Sequence, residues 1–527
     1  MPKTVLKQDI KQKYNTDILN LAFDTLNKDK QALFFLNTKR SAEKCAEEIS
    51  LKNKTQQQAW HDLANSILTA LPKPTKQCER LSRCVKKGVA FHHAGLTSKQ
   101  RETIEDGFRD GKLKIICSTP TLAAGLDLPA YRVIIKDLRR FGGKSFGGLS
   151  YIPVLEYLQM AGRAGRPKFD KMGEAIITAS DDKHKEKLYD RYILGEPEEI
   201  LSKLAVEPVL RTYILSLLAT EFVSNRSELI EFFNKTFWAH QFKDMQKLEK
   251  IINKMLRLLE EWDFIKTGRR KSDFVTAADI ADDKLEATLL GKRVAELYID
   301  PLTANQIIVG LDRSDGVYIT SFALLQLVCN TLEMIPQLRV KNKEMDKIHK
   351  RYMKFESGML DLEPSAYEPE YDYYLNSLKT AFFMEDWISE LDEEYLLEEY
   401  DIRPGETRMK IERADWLLFA SAELAKIQKK QKVLKEILKL RFRLKYGVKE
   451  ELLALLKLQN IGRVRARRMY NLGIHDIGAV KKADITTLAQ LLGRKLALDV
   501  KRQVGQDFSK VKIPERRRKG QISLNDY

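Results

Sequence analysis

Four short apolar runs in the first 180 residues alternate with segments whose apolar positions recur at helical spacing. The runs are QALFFL at 31–36, LKIICS at 113–118, RVIIKD at 132–137 and EAIITA at 174–179. Each run is apolar on both faces, which is typical of strands in a parallel sheet that helices cover on both sides. The pattern therefore predicts an α/β layer structure with a parallel sheet for residues 1–180.

Beyond about residue 200 the pattern changes to that of helices. Ser227 opens a predicted helix with Glu228 in its first turn, and residues 243–262 carry apolar positions along one helical face. Short β-like pieces follow, and helices combined with a small β-ribbon favour a winged helix. Helices dominate from residue 302 onward. Residues 380–402 carry nine acidic groups and no basic one, which we interpret as a solvated helical face.

These changes of pattern divide the 527 residues into five predicted segments. They are an α/β lobe at 1–195, a winged-helix domain at 196–300, a helical domain at 301–425, a basic domain at 426–510 and a basic tail at 511–527. No stretch approaches the ~18 consecutive apolar residues of a membrane span. Because the N-terminus lacks the apolar core of a signal peptide and the five cysteines are scattered, we expect a cytoplasmic protein with reduced thiols.

The net positive charge is concentrated at the C-terminal end. Residues 426–527 contain 27 Lys and Arg against 9 Asp and Glu, whereas the remaining residues contain 64 against 65. If the positive charge were spread evenly along the chain, a role in solubility would be favoured. Its concentration in one segment instead favours an anionic polymer as partner. Without a membrane anchor, nucleic acid is the predicted partner.

Two motifs in the α/β segment carry candidate chemistry. The segment QMAGRAGRP at 159–167 places Arg163 and Arg166 three residues apart, each directly preceded by Gly. Two guanidinium groups that project from one helical turn can hold a phosphoryl transition state. Upstream, STPTLAAGLDLP at 118–129 follows a predicted strand, and such loops at the carboxyl ends of strands bind ligands in α/β sheets.

Together with TKRSAE at 38–43 and FHHAGL at 91–96, these motifs resemble motifs IV, IVa, V and VI of superfamily-two helicases, in the wording of the DExH-box, Ski-like branch. Later segments, YIDPLTA at 298–304 and RPGE at 403–406 among them, resemble the archaeal fork-repair DNA helicases. The resemblance covers nearly the whole chain. It implies a RecA-like lobe, a winged helix, a ratchet domain and a helix-hairpin-helix-like domain, and an ATP-dependent 3′–5′ DNA helicase acting on stalled or branched forks. RNA is the alternative substrate.

The resemblance also assigns roles to individual residues. Gln159, Arg163 and Arg166 are the expected catalytic residues, and Gly125 and Asp127 join the two arginines at ATP. DNA contacts are expected from Thr38, Arg40, His93 and Thr119 in the lobe, from Phe141 and Phe146 on a hairpin wedge, from Arg413 and Trp416 on the ratchet helix, and from Arg463, Arg465, Arg467 and Arg468 in the basic domain. Trp416 has its own rationale, because any base can stack on an aromatic ring. The alternative is that Trp416 is a core residue between Ile411 and Leu417.

No phosphate loop of the GxxxxGK[ST] type and no DExH tetrad occurs in the sequence. The first helicase lobe is therefore expected to be absent, so that the chain carries half of an ATPase site. ATP and Mg²⁺ are the expected cofactors, with no metal ligand on this chain. Three explanations stay open: a split gene whose partner chain supplies the first lobe, a fragment of a longer chain, or a single-stranded DNA-binding protein without ATPase activity.

The last seven residues, QISLNDY, suggest one further partner. Gln521, Leu524 and Tyr527 lie three residues apart, so that the last two would share one face of a helical turn. The spacing resembles the peptide by which replication proteins dock on the sliding clamp. A sliding clamp is therefore a second predicted partner.

Overall fold

A computed structural model of the chain describes residues 9–71, 73–123, 127–141, 148–166, 170, 172–268 and 284–508. Two compact units make up the chain: residues 1–200 together with 393–408, and residues 201–392 together with 409–527. Within the described ranges, no helix combines the length and the apolar character needed to cross a membrane.

A five-stranded parallel sheet forms the centre of the first unit. Its strands are β1 (Ala32–Phe35), β2 (Val89–His92), β3 (Ile115–Ser118), β4 (Arg132–Ile135) and β7 (Glu174–Ile177), in the order β2-β3-β1-β4-β7. All four pairings are parallel, and every residue of the four strands β1 to β4 is buried, as the apolar runs predict. The parallel sheet is thereby confirmed.

Helices cover this sheet and build its core with it. They are α1 (Asp17–Asn27), α2 (Lys39–Lys52), α3 (Gln58–Leu68), α4 (Lys76–Val85), α5 (Ser98–Arg109), α6 (Val154–Ala161) and α7 (Asp182–Leu188), which continues as a π-helical turn at Tyr189–Ile193. Threonine side chains cap several of them: Thr38 accepts from the Ser41 amide and Thr97 from the Gln100 amide, each within a capping box. These caps fix where α2 and α5 leave the carboxyl ends of the sheet.

A hairpin between β4 and α6 projects from the same unit. Strand β5 (Arg139–Phe141) pairs with β6 (Leu149–Tyr151) in antiparallel register, with Arg139 opposite Tyr151. The hairpin predicted around 139–148 is therefore present. Its tip, including Phe146, lies outside the described residues, as does the side chain of Phe141.

The first unit is completed by a segment from far along the chain, α17 (Glu393–Tyr400) and the first turns of α18 (Pro404–Ile427). The Gly405 N–H donates to the Gly95 carbonyl at 3.0 Å. A Cβ atom at Gly405 would lie 2.2 Å from the Leu96 carbonyl oxygen and 2.5 Å from that of Ala94. Only glycine therefore permits this backbone contact, which fixes the RPGE segment to the loop after β2.

The second unit is mainly helical, with one antiparallel pair of strands, β8 (Ile265–Thr267) and β9 (Leu285–Ala287). Its helices are α8 (Glu207–Ala219), α9 (Arg226–Asn234), α10 (Phe237–Phe242), α11 (Met245–Glu261), α12 (Leu289–Glu296), α13 (Pro301–Arg313), α14 (Ser321–Cys329), α15 (Met345–Tyr352), α16 (Tyr371–Ile388), the rest of α18, α19 (Gln431–Tyr446), α20 (Arg463–Asn471), α21 (Ile477–Lys482), α22 (Ile485–Leu492) and α23 (Arg494–Gln503). The start of α9 differs from the prediction: Asn225, not Ser227, is the N-cap and accepts from the Glu228 amide.

The acidic stretch at 380–402 is not the solvated face that its composition favours. Asp386 is buried and binds Arg351 at 2.5 Å, and Glu390 binds Arg467 at 2.6 Å within the second unit. In the first unit, Asp401 binds Arg40 at 2.6 Å. The interpretation was wrong at Asp386 and Glu390, because these two carboxylates are largely buried against cations at distant positions in the sequence.

Candidate functional site

A groove of about 800 Å³ crosses the carboxyl ends of β1, β2 and β3 in the first unit. We call it the carboxyl-end groove; its lining residues are Asn37, Thr38, Lys39, Arg40, Ala94, Thr119, Pro120, Thr121, Arg140, Ile152, Pro153, Leu155, Glu156, Gln159 and Arg403. The structure thus brings together Thr38, Arg40 and Thr119, three of the predicted DNA-binding residues. Gln159, predicted to be catalytic, lies on the wall of this groove.

The first turn of α2 forms the cationic side of the groove. The hydroxyl of Thr38 caps the helix, so the helix axis ends at the groove with Lys39 and Arg40 in its first turn. The N-terminal end of a helix attracts phosphate because its backbone N–H groups and its dipole both favour an anion. The arrangement therefore fits a sugar-phosphate backbone running across the strand ends.

Beneath the groove lies a buried carboxylate, Glu43, that ties four elements together. It accepts hydrogen bonds from His93 Nε2 at 3.1 Å, from Arg403 Nε at 3.1 Å, and from Gln77 and Arg80 on α4. Burial alone would raise the pKa of Glu43, but the hydrogen bond from His93 and the guanidinium of Arg403 hold that pKa well below its usual range. Glu43 is a residue that the sequence motifs did not single out.

His93 does not reach the groove surface where its predicted DNA contact would be made. Its side chain is fully buried, and burial lowers its pKa despite the neighbouring Glu43. The Gly95 N–H donates to His93 Nδ1 at 3.1 Å, so the neutral ring carries its proton on Nε2 and donates it to Glu43. His93 therefore holds Glu43 and the loop after β2 in place.

The two cations in the first turn of α2, Lys39 and Arg40, have carboxylate partners in the segment 393–408. Arg40 is paired with Asp401 at 2.6 Å, and Lys39 is paired with Glu406. The Arg40 and Asp401 side chains are 73% and 44% exposed, so this pair is largely in water. Exposed pairs of this kind contribute little free energy and exchange partners readily. A phosphate can therefore replace Asp401 on Arg40 at small cost.

The motif-VI arginines lie at the other, amino-terminal edge of the sheet. The Ala130 N–H, just before β4, donates to the Arg163 carbonyl, and the Gly165 N–H donates to the Ala130 carbonyl. The Arg163 guanidinium donates to the Ala123 carbonyl and lies 3.7 Å from the exposed carboxylate of Asp127. Arg163 and Asp127, both predicted to bind ATP, are therefore neighbours. Gly125 lies outside the described residues.

Arg166 is oriented by residues that the sequence motifs did not reveal. Its guanidinium binds the buried Asp170 at 2.7 Å and donates to the Gln31 side chain at 2.5 Å. The guanidinium of Arg166 and the ammonium of Lys30 keep the pKa of Asp170 below its ordinary value. The side chains of Arg163 and Arg166 remain 22% and 18% exposed, so both can still meet an anion. The donor set fits the phosphates of ATP.

One loop connects the two edges of the sheet. It leaves the carboxyl end of β3 at Thr119, turns through a 3₁₀ segment at Pro120–Leu122, and reaches Asp127 before β4 begins. Thr119 lines the carboxyl-end groove, whereas Asp127 faces Arg163. The same loop therefore contributes to both candidate sites.

In the second unit, the two predicted residues of α18 lie on one face of the helix. Trp416 is half-buried and donates from Nε1 to the Leu297 carbonyl at 3.1 Å, and Arg413 donates to the Ile335 carbonyl at 2.8 Å. Ile411 and Leu417 are buried, whereas Phe419 is 37% exposed. Trp416 is therefore neither a fully buried core residue nor a fully exposed one, and part of its ring is accessible.

The four arginines of the basic domain fall into two classes. Arg463 and Arg467 anchor α20, because Arg463 donates to the Leu391 carbonyl at 2.8 Å and Arg467 binds Glu390. Arg465 and Arg468 are exposed. The turn before α20 forms with Asn460 at φ 64°, a conformation that asparagine tolerates.

Comparison with known proteins agrees with this arrangement. Residues 66–168 match the model of the helicase conserved C-terminal domain, and residues 322–447 match the archaeal helicase, domain 4. The chain is 38% identical to the ATP-dependent DNA helicase Hel308 of Methanococcus vannielii, over 94% of the chain and 69% of that relative. It is 37% identical to Hel308 of Methanocella arvoryzae and 35% identical to that of Pyrococcus horikoshii, over 96% and 95% of the chain and 67% of each relative.

The chain thus spans about two thirds of the length of these relatives. The helicase C-terminal match at 66–168 includes Thr119 and Gln159 of the carboxyl-end groove and the arginine pair at the opposite edge of the sheet. With identity of 35–38% along nearly all of its length, the chain belongs to the Hel308 family of archaeal superfamily-two DNA helicases.

Proposed function

We propose that this chain is the part of an ATP-dependent 3′–5′ DNA helicase that grips the translocated strand and completes the ATPase site, acting on stalled or branched forks during DNA repair and replication. The observation that carries the proposal is the separation of the two sites on one parallel sheet. The carboxyl-end groove collects Thr38, Arg40 and Thr119, while Arg163 and Arg166 lie at the amino-terminal edge. The loop from Thr119 to Asp127 belongs to both.

ATP would be held by Arg163, Arg166 and Asp127 on this chain, and Gly125, which lies outside the described residues, is proposed as a fourth contact. Arginine side chains supply positive charge to the transferring phosphoryl group, and Asp170 holds Arg166 in place for that role. The phosphate-binding loop and the Mg²⁺ ligands would belong to a first lobe, supplied by a partner chain or by a longer form of this chain. Gln159 would act at the groove wall, where the structure places its side chain.

The two-lobe proposal is tested by measuring phosphate release from ATP with single-stranded DNA present. The 527-residue chain alone should give the rate of the buffer, and addition of the N-terminal third of a Hel308 relative should restore turnover. Turnover by the chain alone that disappears in Arg166→Ala would contradict the need for a first lobe. DNA binding without restored turnover would favour the alternative of a single-stranded DNA-binding protein.

DNA is the proposed substrate, with RNA as the alternative. The proposed DNA contacts are Thr38, Arg40 and Thr119 in the groove, Phe141 and Phe146 on the hairpin, Arg413 and Trp416 on α18, and Arg465 and Arg468 on α20. A winged-helix domain at 196–300, a ratchet domain at 301–425 and a helix-hairpin-helix-like domain at 426–510 are proposed to carry the DNA beyond the lobe. Binding of DNA and RNA oligonucleotides of one sequence decides between the substrates.

The C-terminal tail is proposed to dock on a sliding clamp through Gln521, Leu524 and Tyr527, which lie outside the described residues. The run Arg516-Arg517-Arg518-Lys519 before them suits an exposed tether. A synthetic peptide of residues 512–527 should bind the host's clamp with micromolar affinity. The double change Leu524→Ala, Tyr527→Ala should abolish that binding, and no binding by the unaltered peptide would end the proposal.

A further inference from the structure

A second cavity, of about 620 Å³, opens beside the hairpin in the first unit. We call it the hairpin cavity. It lies at the carboxyl ends of β1, β4 and β7, and its cationic and aromatic lining consists of Lys136, Arg139, Tyr151, Lys183, His184 and Lys187. None of these residues belongs to the carboxyl-end groove or to the arginine pair of motif VI.

The hairpin separates this cavity from the carboxyl-end groove. Neighbouring residues of a strand point to opposite faces, and β5 follows that rule. Arg139 lines the hairpin cavity, whereas Arg140 lines the groove and binds Glu156 there at 2.9 Å. On the paired strand side, Tyr151 faces the cavity and the next residue, Ile152, faces the groove. One face of the hairpin therefore lines the hairpin cavity, and the other face lines the carboxyl-end groove.

Positive charge surrounds the ring of Tyr151 at the base of the hairpin. The Arg139 guanidinium lies 4.4 Å from the ring centroid and donates to the Tyr151 hydroxyl at 2.6 Å. Lys187 and Arg191 lie 5.4 Å and 5.2 Å from the same centroid. The electron-rich face of the ring stabilises several cations at one place where they would otherwise repel each other.

Among the described residues, the two carboxylates that line the cavity, Asp137 and Asp181, form no ion pair with these cations. Asp181 accepts from the backbone N–H of His184 and from the Ser180 hydroxyl, and Asp137 accepts from the backbone N–H of Asn37. Lys136, Lys183 and Lys187 are exposed, and among the described residues none of the three forms an ion pair. The ammonium groups are therefore available to an external anion.

We infer that the hairpin cavity binds backbone phosphates of the second DNA strand, the one that is not held in the carboxyl-end groove. This inference rests on the proposed function, because it takes the groove to hold the first strand. A hairpin with a strand on each face keeps the two strands apart after they separate. Lysine and arginine side chains contact the phosphates of the DNA backbone, and such contacts give affinity without sequence preference.

The test compares a forked DNA with a single strand of the same sequence as ligands of the full chain. In the double variant Lys183→Ala, Lys187→Ala, the affinity for the fork should fall about tenfold, and the slope of log affinity against log salt should flatten by up to ~1.4, at ~0.7 for each phosphate contact of a separated strand. The affinity for the single strand should change less than about twofold. Lys185→Ala, on the same helix but outside the cavity lining, is the matched control and should bind both DNAs like the unaltered chain.

Three outcomes would overturn the inference. Equal loss of affinity for the fork and for the single strand would mean that these lysines contact the DNA strand held in the carboxyl-end groove. Equal loss in Lys185→Ala would show that only the overall charge matters. An unchanged fork affinity in Lys183→Ala, Lys187→Ala would show that the cavity holds no DNA strand. If neither DNA binds the unaltered chain, the proposed function itself fails, so the two failures are distinguishable.

Discussion

Arg40 and Asp401, separated by 361 positions in the sequence, form an ion pair of 2.6 Å at the rim of the carboxyl-end groove. Together with the pairing of Lys39 with Glu406, it places carboxylates of the segment 393–408 on the two cations that a DNA backbone would contact. The acidic segment thus occupies part of the surface that phosphates need.

The first prediction is that Asp401→Asn strengthens the binding of single-stranded DNA. Without the carboxylate, Arg40 need not exchange a partner when a phosphate arrives, and an exposed ion pair of this kind is worth about 0–1 kcal/mol. We therefore expect about a two- to fivefold tighter complex, and a salt slope steeper by up to ~0.7. Fluorescence anisotropy with a labelled oligonucleotide at several salt concentrations measures both quantities.

The matched control is Asp110→Asn, which removes a carboxylate of similar exposure from a pair with Lys112 at 2.7 Å, away from the groove. Both variants add the same charge to the protein. Equal strengthening by the two would show a general charge effect and would contradict a specific role of Asp401.

The second prediction concerns Arg166. With a first lobe supplied, Arg166→Ala should slow ATP hydrolysis by about 10³-fold, since an arginine at the transferring phosphoryl group contributes on that scale. DNA affinity should stay unchanged, because Arg166 lies at the opposite edge of the sheet from the groove. Arg109→Ala, which breaks an exposed ion pair with Asp106, should leave hydrolysis unaffected. A parallel loss of DNA binding would instead indicate a structural role for Arg166.

The third prediction concerns Trp416. Trp416→Ala should weaken binding of single-stranded DNA by about 1–3 kcal/mol, nearly equally for different sequences, because bases of every kind stack on an aromatic ring. Trp416→Phe should retain most of that affinity, although it loses the hydrogen bond to the Leu297 carbonyl. If Trp416→Ala unfolds without cooperativity, the main role of Trp416 is packing. If Trp416→Phe binds DNA as weakly as Trp416→Ala, the main role is the hydrogen bond to the Leu297 carbonyl.

The fourth prediction concerns the buried carboxylate of Glu43. Its pKa is lowered in the folded chain, so the unfolded chain binds a proton more readily and the carboxylate contributes stability above the ordinary value of 4.5. That contribution should disappear progressively as the pH falls below 4.5 towards the folded-state pKa. Glu43→Gln should therefore show a shallower loss of stability in this acidic range, measured by urea unfolding at a series of pH values.

At neutral pH, Glu43→Gln should destabilise the chain by about 3–5 kcal/mol, because it leaves Arg403 and Arg80 without their buried partner. Glu48→Gln, on the same helix, breaks an exposed pair with Lys44 and should cost less than ~1 kcal/mol. The pKa of His93 is also lowered in the folded chain, so His93 contributes its own pH dependence as the pH falls below 6.5. The comparison is therefore made below pH 4.5, where the carboxylates of the unfolded chain become protonated. Equal acid sensitivity of the Gln variant and the unaltered chain would contradict the role of Glu43.

The fifth prediction separates the arginines of α20. The double variant Arg465→Ala, Arg468→Ala should flatten the salt slope of single-stranded DNA binding by up to ~1.4, at ~0.7 for each phosphate contact, with the thermal unfolding midpoint unchanged. Arg467→Ala should instead lower that midpoint, because it removes the partner of Glu390. An unchanged slope in the double variant would make the basic domain a solubility feature.

Much of the fold follows from the sequence because it depends on local pattern. The runs around β1, β3, β4 and β7 are continuous apolar segments, and buried parallel strands require that pattern. Strand β2 is not predicted by this pattern, because its apolar run is short, ends in His92 and is followed by His93. Both side chains are buried because Glu105 and Glu43 accept their hydrogen bonds, and those carboxylates come from helices elsewhere in the chain.

The candidate sites were predictable to the extent that motifs carry them. Thr38, Arg40 and Thr119 meet in one groove, and Arg163 meets Asp127, as the order of the motifs implies. Asp170, Glu43 and the hairpin cavity were not predictable, since their function arises from contacts between distant positions. The RPGE segment shows the limit most clearly, because nothing in its local sequence indicates that Gly405 packs against Gly95.

The late position of that segment has a consequence for protein synthesis. A ribosome adds about 5–20 residues per second, so the lobe at 1–200 emerges about 10–40 s before residues 393–408 can join it. During that interval Glu43 has no Arg403, and the loop after β2 has no backbone partner in Gly405. The nascent lobe therefore lacks these contacts until residue 408 has been translated, and this interval is the period in which a chaperone would be most useful.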